Sequence, residues 1–583
     1  MTLREHSETA SLPFYQDKST WSKLVVSFLI LLALVQFVSL SLNLYRSGLR
    51  MDIVAIATQP AAILLETGRL DDYNLVFPFQ IVRDFPEGWN GEPLPYWMVY
   101  TAPAFYFAPF VAIWGSNDVT AFWVGQTLLL LTLLASLIVL YRHQNSLAFN
   151  LTILVFVLAG TFKGSYLTAA TNLPAMIMMV WTWRYRHTLL NQPLRFGLLL
   201  GLAHEFRPPD TLIWLIALVP AMLDRSPFQL RVLWRPLLLV AAMLAVVVAF
   251  RVLSFELGMI DQKRDHFVAN VFDSPNDPIH PAPDSLFQPA ALSLLFQKHL
   301  GLIRDWIIEG QLALFNRFDV QLLSLWAAIS LGAALNSERA SRVGRDALTI
   351  VLFTAGIVVF AHTGINLSRY YDTVGIALAL FLLEWGIRPS SCTDRSMMKL
   401  VQGFAAFLLL ITLISTAFLI RYTFAITREK ELREHGIHLA AILPTETRVL
   451  INHWEIWRTY AGGQVAVFWN SEKSIPPELI RVYRPQAYIH ILPLTKDLGE
   501  ANRLLKELPR EVSGLKLVPG FPLTRTHPIA LYVDDHLAAR IANSPYAAWM
   551  TPHQNQAQTQ AAVTAEGEIK TDPPNQSNDS NGS

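Results

Sequence analysis

The chain has 583 residues, 52% of them hydrophobic and 16% charged, with a mean hydropathy of +0.33. That apolar content exceeds what a water-soluble globular protein carries and indicates a multispan membrane protein. The balance of 46 Lys and Arg against 45 Asp and Glu argues against nucleic acid as a partner, and a single cysteine, Cys392, excludes an intrachain disulfide and a cysteine-built metal site.

In chain order, apolar segments fall near residues 24–44, 99–115, 119–140, 147–163, 167–183, 194–206, 210–223, 236–257, 311–335, 347–361, 369–387 and 400–420. The first is long enough for a bilayer and lacks a small-residue cleavage site, so it reads as an anchor and not a signal peptide. Orientation follows from arginine. The connections YRH at 141–143, WRYRH with Arg195, DRSPFQLRVLWR, SERASRVGR and IRPSSCTDRSMMK all belong on the cytoplasmic side by the positive-inside rule. Satisfying them requires residues 197–220 to cross twice and residues 99–115 not to cross.

The stretch GLLLGLAHEFRPPDTLIWLIALVP at 197–220 supports this from its own content. As one straight lipid-exposed span it would hold Glu205, Arg207 and Asp210 near mid-bilayer at roughly 2.5 to 3.5 kcal/mol each. It reads instead as a helical hairpin with EFRPPD turning at the outer surface, Pro208 and Pro209 ending the first helix by removing donors and restricting the residue before. The expected fold is a polytopic α-helical membrane protein of about 11 transmembrane helices. Residues 1–23 form a cytoplasmic amino-terminal tail, residues 24–420 the membrane domain, and the carboxyl end lies outside.

Two outer loops are expected, at 45–118, with an amphipathic element from Asp52 to Thr67, and at 258–310, rich in Pro, Asp and aromatics. Residues 421–542 lose the long apolar runs and read as a small extracytoplasmic α/β domain, with strands in RVLIN, VAVFW, AYIHIL and IALYVDD and a helix in TKDLGEANRLLKEL. From 543 onward the composition predicts a disordered tail.

No Walker A loop, HExxH, GxSxG or dinucleotide fingerprint occurs, so chemistry must come from polar residues at the outer membrane face. Asp52 follows the first span and fits either a helix N-cap or a general base. Arg207 fits either a cap for helix-end carbonyls or a cation for a phosphate, whose oxygens match its planar fork of donors. The same two readings apply to Arg369, beside Tyr370. His362 is a satisfied polar residue or a ligand contact, and His204 and Glu205 are hydrogen-bond partners of Arg207 or substrate contacts. Asn172 caps a helix or lines the same cavity. Their convergence on one membrane face exceeds chance scatter.

The order of these features resembles the GT-C glycosyltransferases, the polyprenyl-phosphate-dependent membrane enzymes that include protein O-mannosyltransferases and aminoarabinose transferases. The matching pieces are Asp52 in a D-x(15)-G element, GEPLPYWMVYTAPAFYFAPFVAIWG, GLLLGLAHEFRP and NLSRYYDTVGIALALFLLEWG. The resemblance implies an inverting transfer from a polyprenyl-phosphate sugar to an acceptor hydroxyl of a lipid, glycan or protein. Arg207, Arg369 and Tyr370 would hold the donor phosphate, Asp52 would be the base, and Asn172, His204, Glu205 and His362 would contact substrates. It also implies a bacterial inner membrane and no cofactor beyond the donor, and the lack of an obvious metal cluster in the sequence predicts independence of metal. One departure stands out: Asn172 occupies a position where several family members carry a second acid, and an amide cannot act as base. A lipid-linked substrate transporter or flippase, and a non-catalytic envelope scaffold, are the competing readings; the first should show paired repeats with broken helices, which the sequence lacks.

Overall fold

The computed structural model describes residues 18–47, 57–70, 101–222 (except 117, 142–146 and 169–170), 234–257, parts of 293–334, 340–361, 371–387 and most of 395–551. They divide into two compact units, the first ending at Lys430 and the second beginning at Glu431. The division falls beyond the expected position 421 because the last long apolar helix runs unbroken for 31 residues, to Ala425.

The first unit is helical. Its elements are α1 (Lys18–Ser47), α2 (Gln59–Thr67), α3 (Thr101–Trp114), α4 (Val119–Tyr141), α5 (Leu147–Thr168), α6 (Asn172–Arg184), α7 (Pro193–Phe206), α8 (Pro208–Ala217), α9 (Trp234–Glu256), α10 (Phe318–Ala334), α11 (Ala340–Ala361), α12 (Asp372–Trp385) and α13 (Arg395–Ala425). Among the described residues four stretches, Lys23–Arg46, Val119–Tyr141, Trp234–Glu256 and Ser396–Phe424, are long and apolar enough to cross a membrane, which makes this a multi-pass membrane protein. Their outward faces carry large exposed apolar side chains such as Leu31, Leu131, Val248 and Phe418, a surface suited to lipid.

At the centre lies α12. Every residue from Asp372 to Leu383 is buried, so this helix meets protein on all sides. Side-chain contacts show which helix ends share an end of the bundle. At one end, Arg186 just beyond α6 bonds Asp346 of α11 and Glu384 of α12, Arg235 at the start of α9 bonds Asn191 at 2.9 Å, and Ile387 N–H donates to Ser330 of α10. At the opposite end, Arg46 near the close of α1 donates to the Phe424 carbonyl of α13, Trp123 near the start of α4 donates to Ser41, and Gly160 of α5 abuts Asp319 at the start of α10. Thr101 bonds Ser254, near the end of α9, and Tyr106 donates to the Gly125 carbonyl and packs its ring on Phe206. These contacts hold α3 at this second end.

The segment 197–220 is broken into two helices, and Arg207 is the break. Its backbone is non-helical (φ −148°, ψ 79°) between the end of α7 and Pro208, which opens α8 at the position where a missing N–H costs nothing. At the turn itself Pro209 is exposed and Arg207 and Pro208 are half-buried, while the flanking Glu205 and Asp210 are buried, their carboxylates having partners inside the protein. The GLLLG run that precedes it packs. A Cβ on Gly197 would stand 2.5 Å from the Leu239 carbonyl, and one on Gly201 would stand 2.6 Å from Val246 Cβ, so α7 and α9 touch backbone to backbone. Small residues four apart are the means by which helices approach without a hydrophobic drive from water.

The second unit holds a six-stranded sheet in the order β2-β1-β3-β6-β5-β4, with β1 (Val449–Ile451), β2 (Ala466–Phe468), β3 (Ala487–Ile491), β4 (Glu511–Val512), β5 (Leu515–Leu517) and β6 (Ile529–Val533). β1 pairs in parallel with β2 and β3, and β3, β6, β5 and β4 pair antiparallel. Strands β1, β2, β3 and β6 lie in the four expected segments; the hairpin of β4 and β5, which turns through Ser513 and Gly514 at positive φ, is an addition to them. Helices Arg428–Ile442, Pro477–Tyr483, Leu498–Glu507 and Asp535–Ala542 accompany the sheet. Order continues past 543, against the expectation of a disordered tail from that point. Ala547–Met550 forms a helical turn whose Trp549 lies edge-on to His438 and Phe521 and accepts through its carbonyl from Gly520 N–H at 2.7 Å. Aromatic anchoring outweighs the polar composition there.

Two outcomes are expected. Gly201→Val forces α7 off α9 and lowers the thermal midpoint of the purified protein in detergent, whereas Gly332→Ala leaves it unchanged, because a Cβ at Gly332 meets nothing within 4 Å. In the sheet, burial holds the His490 imidazole below its ordinary pKa, so the folded state binds fewer protons than the unfolded one. Its stability contribution is complete above the unfolded value of about 6.5 and declines as pH falls through it, which amide exchange of β3 and β6 in the intact chain measures.

Candidate functional site

The end of the bundle that carries Arg207 gathers most of the buried charge that is not spent at Arg186. α7 brings His204 and Glu205, the break between helices brings Arg207, and the first turn of α8 brings Asp210. Arg207 Nε bonds Asp210 Oδ2, and Asp210 Oδ1 accepts from Thr373 Oγ1 at 2.9 Å. Asp210 therefore faces two ways, toward Arg207 and toward the central helix. Its place in the first turn of α8 also sets its charge against the positive end of that helix.

Asp372 and Thr373 begin α12 and are both buried. Asp372 Oδ1 accepts from Arg317 Nη1, while Arg317 grips Asp319 with two parallel bonds, Nε to Oδ1 at 2.9 Å and Nη2 to Oδ2 at 2.7 Å. Fork-to-fork geometry of this kind is the strong form of the interaction. Asp319 can reach this position because α5 passes it with a glycine; a Cβ at Gly160 would meet the Asp319 side chain at 2.9 Å. Two adjacent residues of α12 thus tie two arginines from different parts of the chain into one array, running Arg207, Asp210, Thr373, Asp372, Arg317, Asp319.

Of the residues singled out from sequence, four are described. Asn172 is fully buried as the first residue of α6, with Thr171 in the cap position, at the same end as Asp372 because α6 and α12 both close on Arg186 at the other end. Arg207 is 16% exposed and held by Asp210. His204 Nδ1 lies 3.2 Å from Glu205 Oε1, so these two bond each other, and Asp210 bonds Arg207. The spacing explains it: Asp210 opens the next helix three residues on, facing back across the break. Asp52, His362, Arg369 and Tyr370 lie outside the described residues.

Sequence reading missed Arg317, Asp319, Asp372 and Thr373 altogether. The available signal was positional: R-F-D at 317–319 and Y-Y-D-T at 370–373 each open an apolar helix with charge at its first turn. Among the described residues no group of three or more His, Cys, Asp or Glu is arranged to hold a metal ion.

Arg317 should matter most for stability. Arg317→Met removes the cation from half-buried Asp319 and buried Asp372, and breaking a buried pair on one side costs about 3 to 5 kcal/mol. The double substitution Arg317→Met with Asp372→Leu should recover part of the loss. Unfolding midpoints of the three proteins in one detergent check this.

No protein-family model matches the chain, and no curated protein matches it. Among solved structures it is similar to ArnT from Cupriavidus metallidurans in the apo state, at 13% identity and a TM-score of 0.45, covering 88% of this chain and 98% of that one. It is similar also to the structure of the same protein bound to undecaprenyl phosphate, at 12% identity and a TM-score of 0.46 over the same shares of the two chains.

Proposed function

We propose that this chain is a GT-C-type membrane glycosyltransferase that moves a sugar from a polyprenyl-phosphate donor to an acceptor hydroxyl at the outer membrane face, with inversion. The observation that carries the reading is the gathering of part-open polar groups at one end. Asn172, Arg207 and the Asp210–Thr373–Asp372–Arg317 array share the end of the bundle opposite the enclosed Arg186 ion pairs. The segments holding Asp52 and Arg369 adjoin that end in the chain, one between α1 and α2, the other directly before α12. The order of elements along the sequence supports the same assignment.

Eleven traversals belong to this reading, by α1, α4, α5, α6, α7, α8, α9, α10, α11, α12 and α13. The arginine-rich connections then fall at the Arg186 end, which is cytoplasmic, and the Arg207 end is extracytoplasmic together with the second unit. The host membrane is a bacterial inner membrane.

In the reaction the acceptor oxygen attacks the anomeric carbon while the bond from that carbon to the phosphate oxygen breaks. Asp52 takes the acceptor's proton, and polyprenyl phosphate leaves with the electron pair. Negative charge grows on the leaving phosphate, so Arg207 and Arg369, with Tyr370, supply the stabilisation where charge develops. Asn172 and the His204–Glu205 pair bear on substrate position, an amide being able to orient a hydroxyl but not to deprotonate it. His362 contributes a further contact. No metal enters this scheme.

The test is sugar transfer in membranes with equal amounts of each protein and labelled polyprenyl-phosphate sugars. Asp52→Asn should lose roughly a hundredfold or more of the rate while retaining donor binding. Arg207→Ala should lose about a hundredfold to a thousandfold. A well-folded Asp52→Asn with wild-type transfer removes Asp52 as the base; absence of transfer from every donor by the wild type sinks the enzyme reading.

A further inference from the structure

The bond from Thr373 to Asp210 has no part in that reaction, yet it is the link between the helix break that carries Arg207 and the helix that follows Arg369. We infer that Asp210 and Thr373 are positioning residues, which orient Arg207 toward the donor phosphate by bracing its carboxylate partner against α12. The inference rests on the proposed donor-binding role of Arg207.

Three features of the geometry support it. Arg207 sits at the junction of two helices in non-helical backbone, so its side chain is not aimed by a regular helical face. A guanidinium is planar, so a bond at Nε sets the plane of the whole fork. Asp210 supplies that bond through Oδ2, and its own rotation is stopped through Oδ1 by the Thr373 hydroxyl at 2.9 Å. Thr373 in turn is enclosed: it is 1% exposed on a helix buried on all sides, next to Asp372, which Arg317 holds. A carboxylate gripped from two helices keeps Arg207 in one orientation before the phosphate arrives, and preorganised donors are what make such sites effective.

A merely structural bond would instead hold the two helices together regardless of Arg207.

A double-substitution comparison separates these two roles, with labelled polyprenyl phosphate as the probe, its dissociation constant measured on purified protein in one detergent, and thermal midpoints recorded alongside. Thr373→Val removes the hydroxyl and should weaken binding about tenfold, and Thr373→Ser, which restores it, should lie within about twofold of wild type. Arg207→Lys keeps the charge without the planar fork. In that background Thr373→Val should have no further effect, since the orientation it protects is already gone. Thr373→Ala gives the same comparison if Val is poorly accommodated.

The inference is overturned if Thr373→Val binds as wild type does. It is equally overturned if the same loss appears in the Arg207→Lys background, or if Thr373→Ser binds as weakly as Thr373→Val. In each of those outcomes the wild type binds polyprenyl phosphate and the donor assignment stands. If the wild type does not bind the probe, the donor assignment fails and this inference falls with it.

Discussion

The structure depends on a buried helix that carries charge at both ends. α12 is covered on all sides, and yet Asp372 opens it and Glu384 closes it, each against an arginine from another part of the chain. Moving an ion out of water costs several kcal/mol even after relaxation, so such pairs persist only where the donors are used. Arg186 meets that condition. Nε and Nη2 bond Asp346, Nη1 and Nη2 bond Glu384, and Nη1 also donates to the Trp183 carbonyl, which uses the five N–H groups of the fork. The Trp183 ring lies under the guanidinium at 4.3 Å and Trp385 adds a bond to Asp346. This knot joins α6, α11 and α12 and sets the register of the three helices along their axes.

Once that register is set, the opposite end follows. α6 and α12, of 13 and 14 residues, bring Asn172 and Asp372 to a common level, and the short α7 returns to it with Arg207. Short helices suffice because glycines let them lie close: Gly197 and Gly201 seat α7 on α9, Gly356 admits Ile213 of α8 against α11, and Gly160 admits Asp319 against α5. The polar end of the bundle is thus built by backbone proximity as much as by charge.

Much of the bundle was legible in the sequence, since apolar segments and the paired prolines each act locally. Four strands of the second unit were legible for the same reason. What escaped was set by tertiary pairing. Arg186 looked like one more positive residue of a cytoplasmic connection, whereas it is 1% exposed, because the charge rule counts residues near a span and is blind to a neighbouring helix that supplies carboxylates. Arg317, Asp319 and Asp372 sat at the edges of apolar runs, where an unpartnered charge would simply face water. Asp210 was visible but unassigned, since nothing in R-P-P-D tells which of Glu205 and Asp210 faces the arginine until the chain turns. The ordered turn around Trp549 escaped because a single aromatic anchor leaves no periodicity.

The two ends of the bundle spend their arginines differently, and the difference is chemical. At the Arg186 end the cation is saturated and sealed, so it holds helices and has nothing left to offer a ligand. At the other end Arg207 is bonded to Asp210 through Nε and remains 16% exposed, and Arg317 is 11% exposed. A cation meant to receive a phosphate must be fixed in direction without being sealed, because a fully enclosed guanidinium is out of an anion's reach while an unheld one loses side-chain entropy on binding it. A carboxylate bond at Nε, braced from a second helix, satisfies both requirements. In the proposed reading the same residue type serves as a rivet at one end and as an oriented donor at the other, and what separates the two sites is how far the fold closes over each.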